Sequence, residues 1–299
     1  MTKQTQAYLY AAATILFWST VASAFKLSLR YLSVIELLFY SSLVSFWVLA
    51  GILLVNGRLG EFRRWSHREY ARSALLGFLN PFLYYLILFK AYSLLPAQEA
   101  QPLNFTWPIV LVLLSIVLLR QRVHLMSIVA MTISFIGVLV ISTRGDLLGW
   151  QITNGLGVML ALGSTVIWAL YWIYGVKDHR DPVLRLCLNF GFGLVFVTLY
   201  MLMVDGLPML PPPAGLWGAC YVGLFEMGIT FVLWLKALRL SHTTAQVSNL
   251  IYLSPFLSLI VIHFVVGESI YPSTVFGLVL IITGILLQQY GPLLKRFVC

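Results

Sequence analysis

The stretch LNPFLYYLILFKAYSLLPA, residues 79–97, decides how the rest of this chain is read. It is greasy enough for lipid, yet it holds Asn80 beside Pro81, the adjacent Tyr84 and Tyr85, and a charged Lys90. Each of these is a liability in hydrocarbon, where polar groups need a partner. A second stretch, ITFVLWLKALRLS (229–241), repeats the Lys-Ala step. Working outward from this pair, 60% of the 299 residues are hydrophobic and only 10% are charged, which makes the chain a polytopic membrane protein. No charged segment is long enough to form a water-soluble domain. The net charge of +9 comes from basic residues between apolar runs, a pattern of membrane topology rather than of nucleic-acid binding. Cys187, Cys220 and Cys299 fit no metal or redox spacing, and no cofactor is expected.

A helix needs about 20 apolar residues to cross the hydrocarbon core. Such runs fall at 7–25, 34–55, 73–95, 97–119, 125–142, 155–175, 186–204, 214–236, 245–266 and 273–290, which predicts ten transmembrane helices. The segments lack the period of two that a barrel strand would carry. Asn56-Gly57, Pro96, Gly145-Asp146, Asp181-Pro182, Pro211 to Pro213, Gly267-Glu268 and Pro272 divide them. With the N-terminus placed in the cytoplasm, 15 of the 19 lysines and arginines fall on the cytoplasmic side. Only Lys26, Arg30, Lys90 and Arg144 fall elsewhere, so both termini are expected inside. A rival reading takes residues 7–24, ending in Ala22-Ser23-Ala24, as a cleaved signal peptide; it would leave nine spans.

Sliding the chain on itself by 146 residues pairs Gly77 with Gly223, Asn80 with Glu226, and Lys90-Ala91 with Lys236-Ala237. After a slip of one residue Pro108 meets Pro255 and Gly137 meets Gly284, while Trp18 and Trp168 pair near the front of each half. Five spans per half is an odd number, so the second half must enter the membrane from the opposite side. The expected architecture is all-α, two inverted five-helix repeats (1–148 and 149–299) around a central cavity near the midplane.

Polar residues within spans are then candidates for the cavity wall. Asn80 could bond to a carbonyl freed by Pro81, or to a ligand. Tyr84 and Tyr85 point about 100° apart on a helix, so only one is expected to reach the cavity. Gln101, Asn104 and Pro108 share a face of span four, with Trp107 beside it. Span nine mirrors them with Gln246, Asn249, Tyr252 and Pro255. In span six, Ser164, Trp168, Tyr171 and Trp172 form an aromatic stripe; for any one ring, simple helix packing is the alternative. Glu226 is the carboxylate nearest the centre of a span. It is read as a proton-coupling or amine-binding group, or else as a carboxyl bonded to a neighbouring helix. Lys90 and Lys236 lie where long side chains reach back to the interface, and His263 is expected there too.

The chain resembles the drug/metabolite transporter superfamily in its EamA-type branch of ten-span carriers. The resemblance rests on FWSTVASAFK (17–26), on the paired LFKAYSLLPAQEAQPLNFTWP (88–108) and WLKALRLSHTTAQVSNLIYLSP (234–255), and on VVGESIYPSTVFGLVLIITGILL (265–287). Gln121 stands where the first half would be expected to carry the glutamate matching Glu268. Within the superfamily, the aromatic spans are similar to YddG-type exporters. That resemblance implies export of aromatic and other neutral amino acids across a bacterial inner membrane by alternating access. Its partners would be the small-molecule substrate and the lipid bilayer, with no nucleic acid and no oligomeric state indicated. Nucleotide sugars, purines or drugs are the alternative cargo. An intramembrane enzyme is disfavoured because the chain has no HExxH helix, GxSxG elbow or P-loop. A channel is disfavoured because no filter-like segment is evident.

Overall fold

A computed structural model describes residues 2–119, 125–146, 152, 154–176, 178–207, 210–242, 247 and 249–298. Everything regular in it is helical. Helix α1 (Lys3–Ser28) starts at Thr2, whose hydroxyl accepts from the Thr5 amide. Helix α2 (Val34–Val55) starts at Ser33 in a capping box with Glu36, and α3 (His67–Gly77) starts at Ser66 in the same arrangement with Glu69. These reciprocal bonds satisfy the amides that a helix start leaves open.

From α3 the chain runs through a wide turn, Phe78–Leu83, into α4 (Tyr84–Leu94). Asn80 takes an extended conformation there (φ −146°, ψ 118°), because Pro81 cannot continue the ladder of amide bonds. The short α5 (Ala97–Asn104) is separated from α6 (Trp107–Leu119) by Phe105 and Thr106. The fourth apolar run, expected as one continuous span, is therefore broken. Pro108 beside this break has no amide with which to carry the ladder across it.

Helices α7 (Leu125–Ser142), α8 (Gly155–Val176) and α9 (Pro182–Val204) follow. The eighth run is likewise interrupted, into α10 (Pro213–Phe225) and α11 (Ile229–Leu240), by Glu226, Met227 and Gly228. A 3-10 turn (Asn249–Leu253) leads into α12 (Ser254–Val261), a wide turn (Ile262–Val266) and finally α13 (Pro272–Val298).

Among the described residues, six helical stretches are long and apolar enough to cross a membrane: Lys3–Ser28, Val34–Val55, His67–Leu94, Gly155–Gly175, Pro182–Val204 and Pro213–Leu240. Ile128–Ser142, Leu250–Val266 and Pro272–Leu287 are shorter apolar helices. Large apolar side chains such as Trp47, Met203, Trp217 and Phe264 are exposed, as suits a surface facing lipid tails rather than water.

Glycines set the closest approaches. A Cβ at Gly77 on α3 would lie 2.3 Å from the Asn189 carbonyl of α9, and one at Gly223 on α10 would lie 2.6 Å from the Ser41 carbonyl of α2. Helices α7 and α13 meet in the same way: a Cβ at Gly137 would lie 2.6 Å from the Gly277 oxygen, and one at Gly284 2.6 Å from the Ala130 oxygen. The Ser134 hydroxyl donates to the Ile281 carbonyl between them at 3.3 Å. With little hydrophobic drive between helices in lipid, such backbone contact carries the packing. Elsewhere α1 packs on α11 and α12, while α8 packs on α4 and α6.

Charged loops gather at one end of the bundle. Arg58 and Arg239 reach Asp181 at 3.4 and 3.5 Å. Arg180 and Arg72 reach the buried Asp178 at 2.5 and 3.8 Å. Burial alone would raise the Asp178 carboxyl, but the Arg180 hydrogen bonds and the surrounding arginines hold it below the usual range.

Candidate functional site

The three breaks, at Asn80, at Phe105–Thr106 and at Glu226–Gly228, expose backbone that an unbroken helix would satisfy internally. Irregular backbone at membrane depth is tolerated where it is buried in protein or lines a cavity. A cavity of about 340 Å³ lies between α1, α4, α5, α6, α8, α11 and the 249–254 segment, a size ordinary for small-molecule sites.

Its wall is largely aromatic. The Trp168 ring stacks on Tyr84 (centroids 4.7 Å apart) and on Tyr171 (5.6 Å), and it stands edge-on to Trp172 at 6.0 Å. Trp107 lies parallel to Trp172 at 6.5 Å. From the other side, Trp18 meets both Phe231 and Trp234 at 5.7 Å, and Phe231 reaches Trp168 at 6.1 Å. Rings locked edge-to-face and stacked offer flat apolar surfaces with little freedom to collapse inward.

Polar groups punctuate this wall. Tyr84 Oη donates to Asn104 Oδ1 (3.2 Å), and Asn104 Nδ2 donates to Ser164 Oγ (2.9 Å), tying α4, α5 and α8 together. Gln101 Oε1 and Trp172 Nε1 are buried with no hydrogen-bond partner among the described residues, although both side chains form part of the wall. An unmet buried donor or acceptor costs about 1–3 kcal/mol, and neither atom is open to water, so an occupant meets them only after the surrounding side chains shift. Glu226 is half-buried in the wall and accepts a hydrogen bond from Tyr85 Oη at 2.9 Å.

Of the residues expected at the site, Tyr84, Gln101, Asn104, Trp107, Trp168, Trp172, Tyr252 and Glu226 come together around the cavity. Three do not line it. Asn80 is fully buried at the α3–α4 break, and neither of its side-chain polar atoms has a partner among the described residues, so it bonds no freed carbonyl. Tyr85 is fully buried behind the wall, holding Glu226. Tyr171 is buried behind Trp168. The Asn249 side chain, Gln246 and Gln121 lie outside the described residues. The sequence reading missed Phe25, Tyr92, Phe231 and Trp234 in the wall, and noted Trp18 only as the repeat partner of Trp168. An aromatic ring in an apolar run carries no mark of which way it faces, and the Trp18–Trp168 pairing was the one available signal.

Polar bonds join the elements beyond Phe25 and Tyr92 at one end of the cavity. Lys26 Nζ donates to the carbonyls of Tyr92 (2.9 Å) and Leu95 (2.7 Å) at the end of α4. Glu268 accepts from the amides of Ala97 (2.8 Å) and Gln98 (3.1 Å), so a carboxylate from the far half caps the start of α5. Gln98 in turn donates to the Ser269 carbonyl and accepts from the Tyr271 amide, and Arg144 pairs with the buried Glu99 at 2.8 Å.

Comparison with known proteins agrees with this architecture. The chain matches the model of the EamA-like transporter family twice, over residues 5–143 and 155–288. It is similar to an uncharacterized transporter of Archaeoglobus fulgidus, 25% identical over 93% of this chain and 96% of that protein. It is similar also to the uncharacterized transporter YvbV of Bacillus subtilis, at 29% over 80% and 79% of the two chains. The protein PecM of Dickeya dadantii is 24% identical over 83% and 82%. A solved crystal structure superposes over 98% of this chain and 99% of its own with a TM-score of 0.66 at 21% identity, a likeness of fold alone.

Proposed function

The chain belongs to the EamA-like transporter family of multi-pass membrane proteins that move small molecules, and from that premise we propose that it exports aromatic and other neutral amino acids across a bacterial inner membrane by alternating access. The aromatic cavity between elements of both matched segments carries this reading. Flat rings receive an apolar or aromatic side chain, while Glu226 and the Gln101 amide receive the polar end.

Alternating access follows from treating 1–148 and 149–299 as inverted five-helix repeats that together make ten spans. The double family match supports this. So does the pairing of contacts. Gly77 against Asn189 and Gly223 against Ser41 are the same contact with the halves exchanged, as are Gly137 against Gly277 and Gly284 against Ala130. Two similar halves of opposite orientation can trade conformations, opening a central site first to one side and then to the other. The arginine-rich end is the cytoplasmic one by the bias of positive charge, which places both termini inside. The Lys26–Glu268 end then faces outward, its bonds parting when the cavity opens there, and Leu238, next to Arg239, marks the cytoplasmic side of the wall. A phosphate-bearing cargo such as a nucleotide sugar would need cationic side chains, and the described wall holds no lysine or arginine.

Purified protein in liposomes tests the reading. Labelled tryptophan, phenylalanine and leucine should enter saturably and exchange against unlabelled amino acid. Uptake at the protein-free rate across a broad amino-acid panel would remove the assignment.

A further inference from the structure

Resting on the carrier reading above, we infer that the group this cavity recognises is the ammonium of its cargo and not the carboxylate, so that aromatic monoamines are its preferred ligands.

The charge inventory of the wall is one-sided. Glu226 is its acidic member, and the described wall includes no lysine, arginine or histidine. Two basic residues adjoin wall residues in sequence: Arg239, next to Leu238, which pairs with Asp181 at 3.5 Å, and Lys26, next to Phe25. Its ammonium already donates to two carbonyls, those of Tyr92 and Leu95, at 2.9 and 2.7 Å. A carboxylate entering the cavity would therefore leave water without a counter-charge, and burying an unpaired charge is costly. Donor side chains of the wall such as Gln101 and the indoles of Trp18, Trp107 and Trp234 are neutral and supply no counter-charge.

An ammonium meets the reverse situation. Glu226 supplies an opposite charge, and Tyr85 Oη holds that carboxylate at 2.9 Å from behind the wall. Around them Trp18, Tyr84, Trp168 and Phe231 form interlocked aromatic contacts. Aromatic faces attract cations through their quadrupole, most of all when water is excluded, and they receive the aromatic body as well. A neutral amino acid satisfies the ammonium half of this site and strands its carboxylate. The corresponding amine satisfies the site without that cost. Neutral amino acids are thus cargo by virtue of the amine they share with better ligands.

Three probes sharing one indole body separate the two charges: tryptamine (ammonium only), tryptophan (both) and indole-3-propionate (carboxylate only). Equilibrium binding to the purified full-length protein is expected to give tryptamine a Kd at least tenfold below that of tryptophan. Indole-3-propionate should bind at least tenfold more weakly than tryptophan. In Glu226→Gln the advantage of tryptamine should shrink to within twofold. If that variant does not fold, the order of the three probes on the unmodified protein decides alone. Tryptophan binding as tightly as tryptamine, a gap that survives in folded Glu226→Gln, or no binding of any of the three overturns the inference. Counterflow of tryptophan in liposomes is read separately. The binding order, with no counterflow of any amino acid in the panel, would remove the amino-acid export reading and leave this one standing. Counterflow without the binding order would do the opposite.

Discussion

Tyr85 and Glu226, 141 positions apart, are joined by a 2.9 Å hydrogen bond in which the phenol donates to the carboxylate. Tyr85 lies just past the break at Asn80 and Glu226 within the break at 226–228, so the bond ties two of the three breaks to each other. Tyr85 does not touch the cavity; it fixes the direction in which Glu226 points.

Removing this donor should be felt at the site without collapse of the fold. Tyr85→Phe keeps the ring contacts with Tyr84 and Phe89 and deletes one hydrogen bond. A bond of this kind contributes roughly 1–3 kcal/mol, so amine affinity should fall by about five- to a hundredfold. Titration of purified variant protein with tryptamine checks this. An unchanged Kd would mean that Glu226 needs no such support.

Trp168 is the ring on which the wall converges, touching Tyr84, Tyr171, Trp172 and Phe231. Trp168 is half-buried and faces the cavity, so its truncation removes the flat surface on which a ligand would rest. Trp168→Ala should therefore raise the half-saturation concentration for transport more than tenfold, whereas Trp168→Phe, which keeps a flat face, should stay within about threefold. Initial-rate uptake into liposomes distinguishes the two.

In the alternating-access reading, the bonds made by Lys26 and Glu268 must part whenever the cavity opens at that end. Glu268→Ala removes a carboxylate that caps α5 through two amides, a loss of about 1 kcal/mol. That is enough to shift a two-state population about fivefold toward the open form. In a background without native cysteines, Leu88→Cys should label faster with an impermeant thiol reagent added from the outer side when Glu268→Ala is present. Equal labelling rates would exclude Glu268 from the closure.

The glycine contacts make a paired prediction. Gly77→Ala and Gly223→Ala would each press a Cβ to within 2.6 Å of a neighbouring carbonyl, which backbone cannot readily yield. Both should lower the melting temperature in detergent or abolish yield. Gly163→Ala, with nothing within 4 Å, should leave it unchanged or slightly raised.

Acid should loosen the arginine-rich end. The Asp178 carboxyl is held below its ordinary range, so its stabilising contribution is complete above the unfolded value of about 3.9. It disappears as pH falls through the lower folded value. Melting temperature should drop below about pH 4, and Asp178→Asn should flatten that drop while lowering stability at neutral pH, because the largely buried Arg180 loses its partner. A melting curve identical to the parent at every pH would refute this.

Much of this was legible in the chain itself. Apolar length is a property of consecutive residues, so the runs were visible without any partner, and the arginines of 58–72, 180–185 and 239 do gather at one end. The recurrence of Gly77 at Gly223 and of Asn80 at Glu226 marked positions where the helices later prove to touch closely or to break. The continuity of the fourth and eighth runs was misjudged: Gln101 and Asn104 before the break at Phe105–Thr106, and Glu226 at the other break, were read as cavity-facing groups on unbroken helices.

What the sequence by itself determined is that this chain crosses a membrane several times and keeps polar and aromatic groups where lipid would reject them. Only the tertiary structure decided which of two adjacent tyrosines enters the wall: Tyr84 faces the cavity and Tyr85 turns behind it to Glu226. Neighbouring residues on a helix differ by about 100° in direction. The rotation of α4 that chooses between them is set by the rings and glycines of helices distant in sequence, and no local pattern records it.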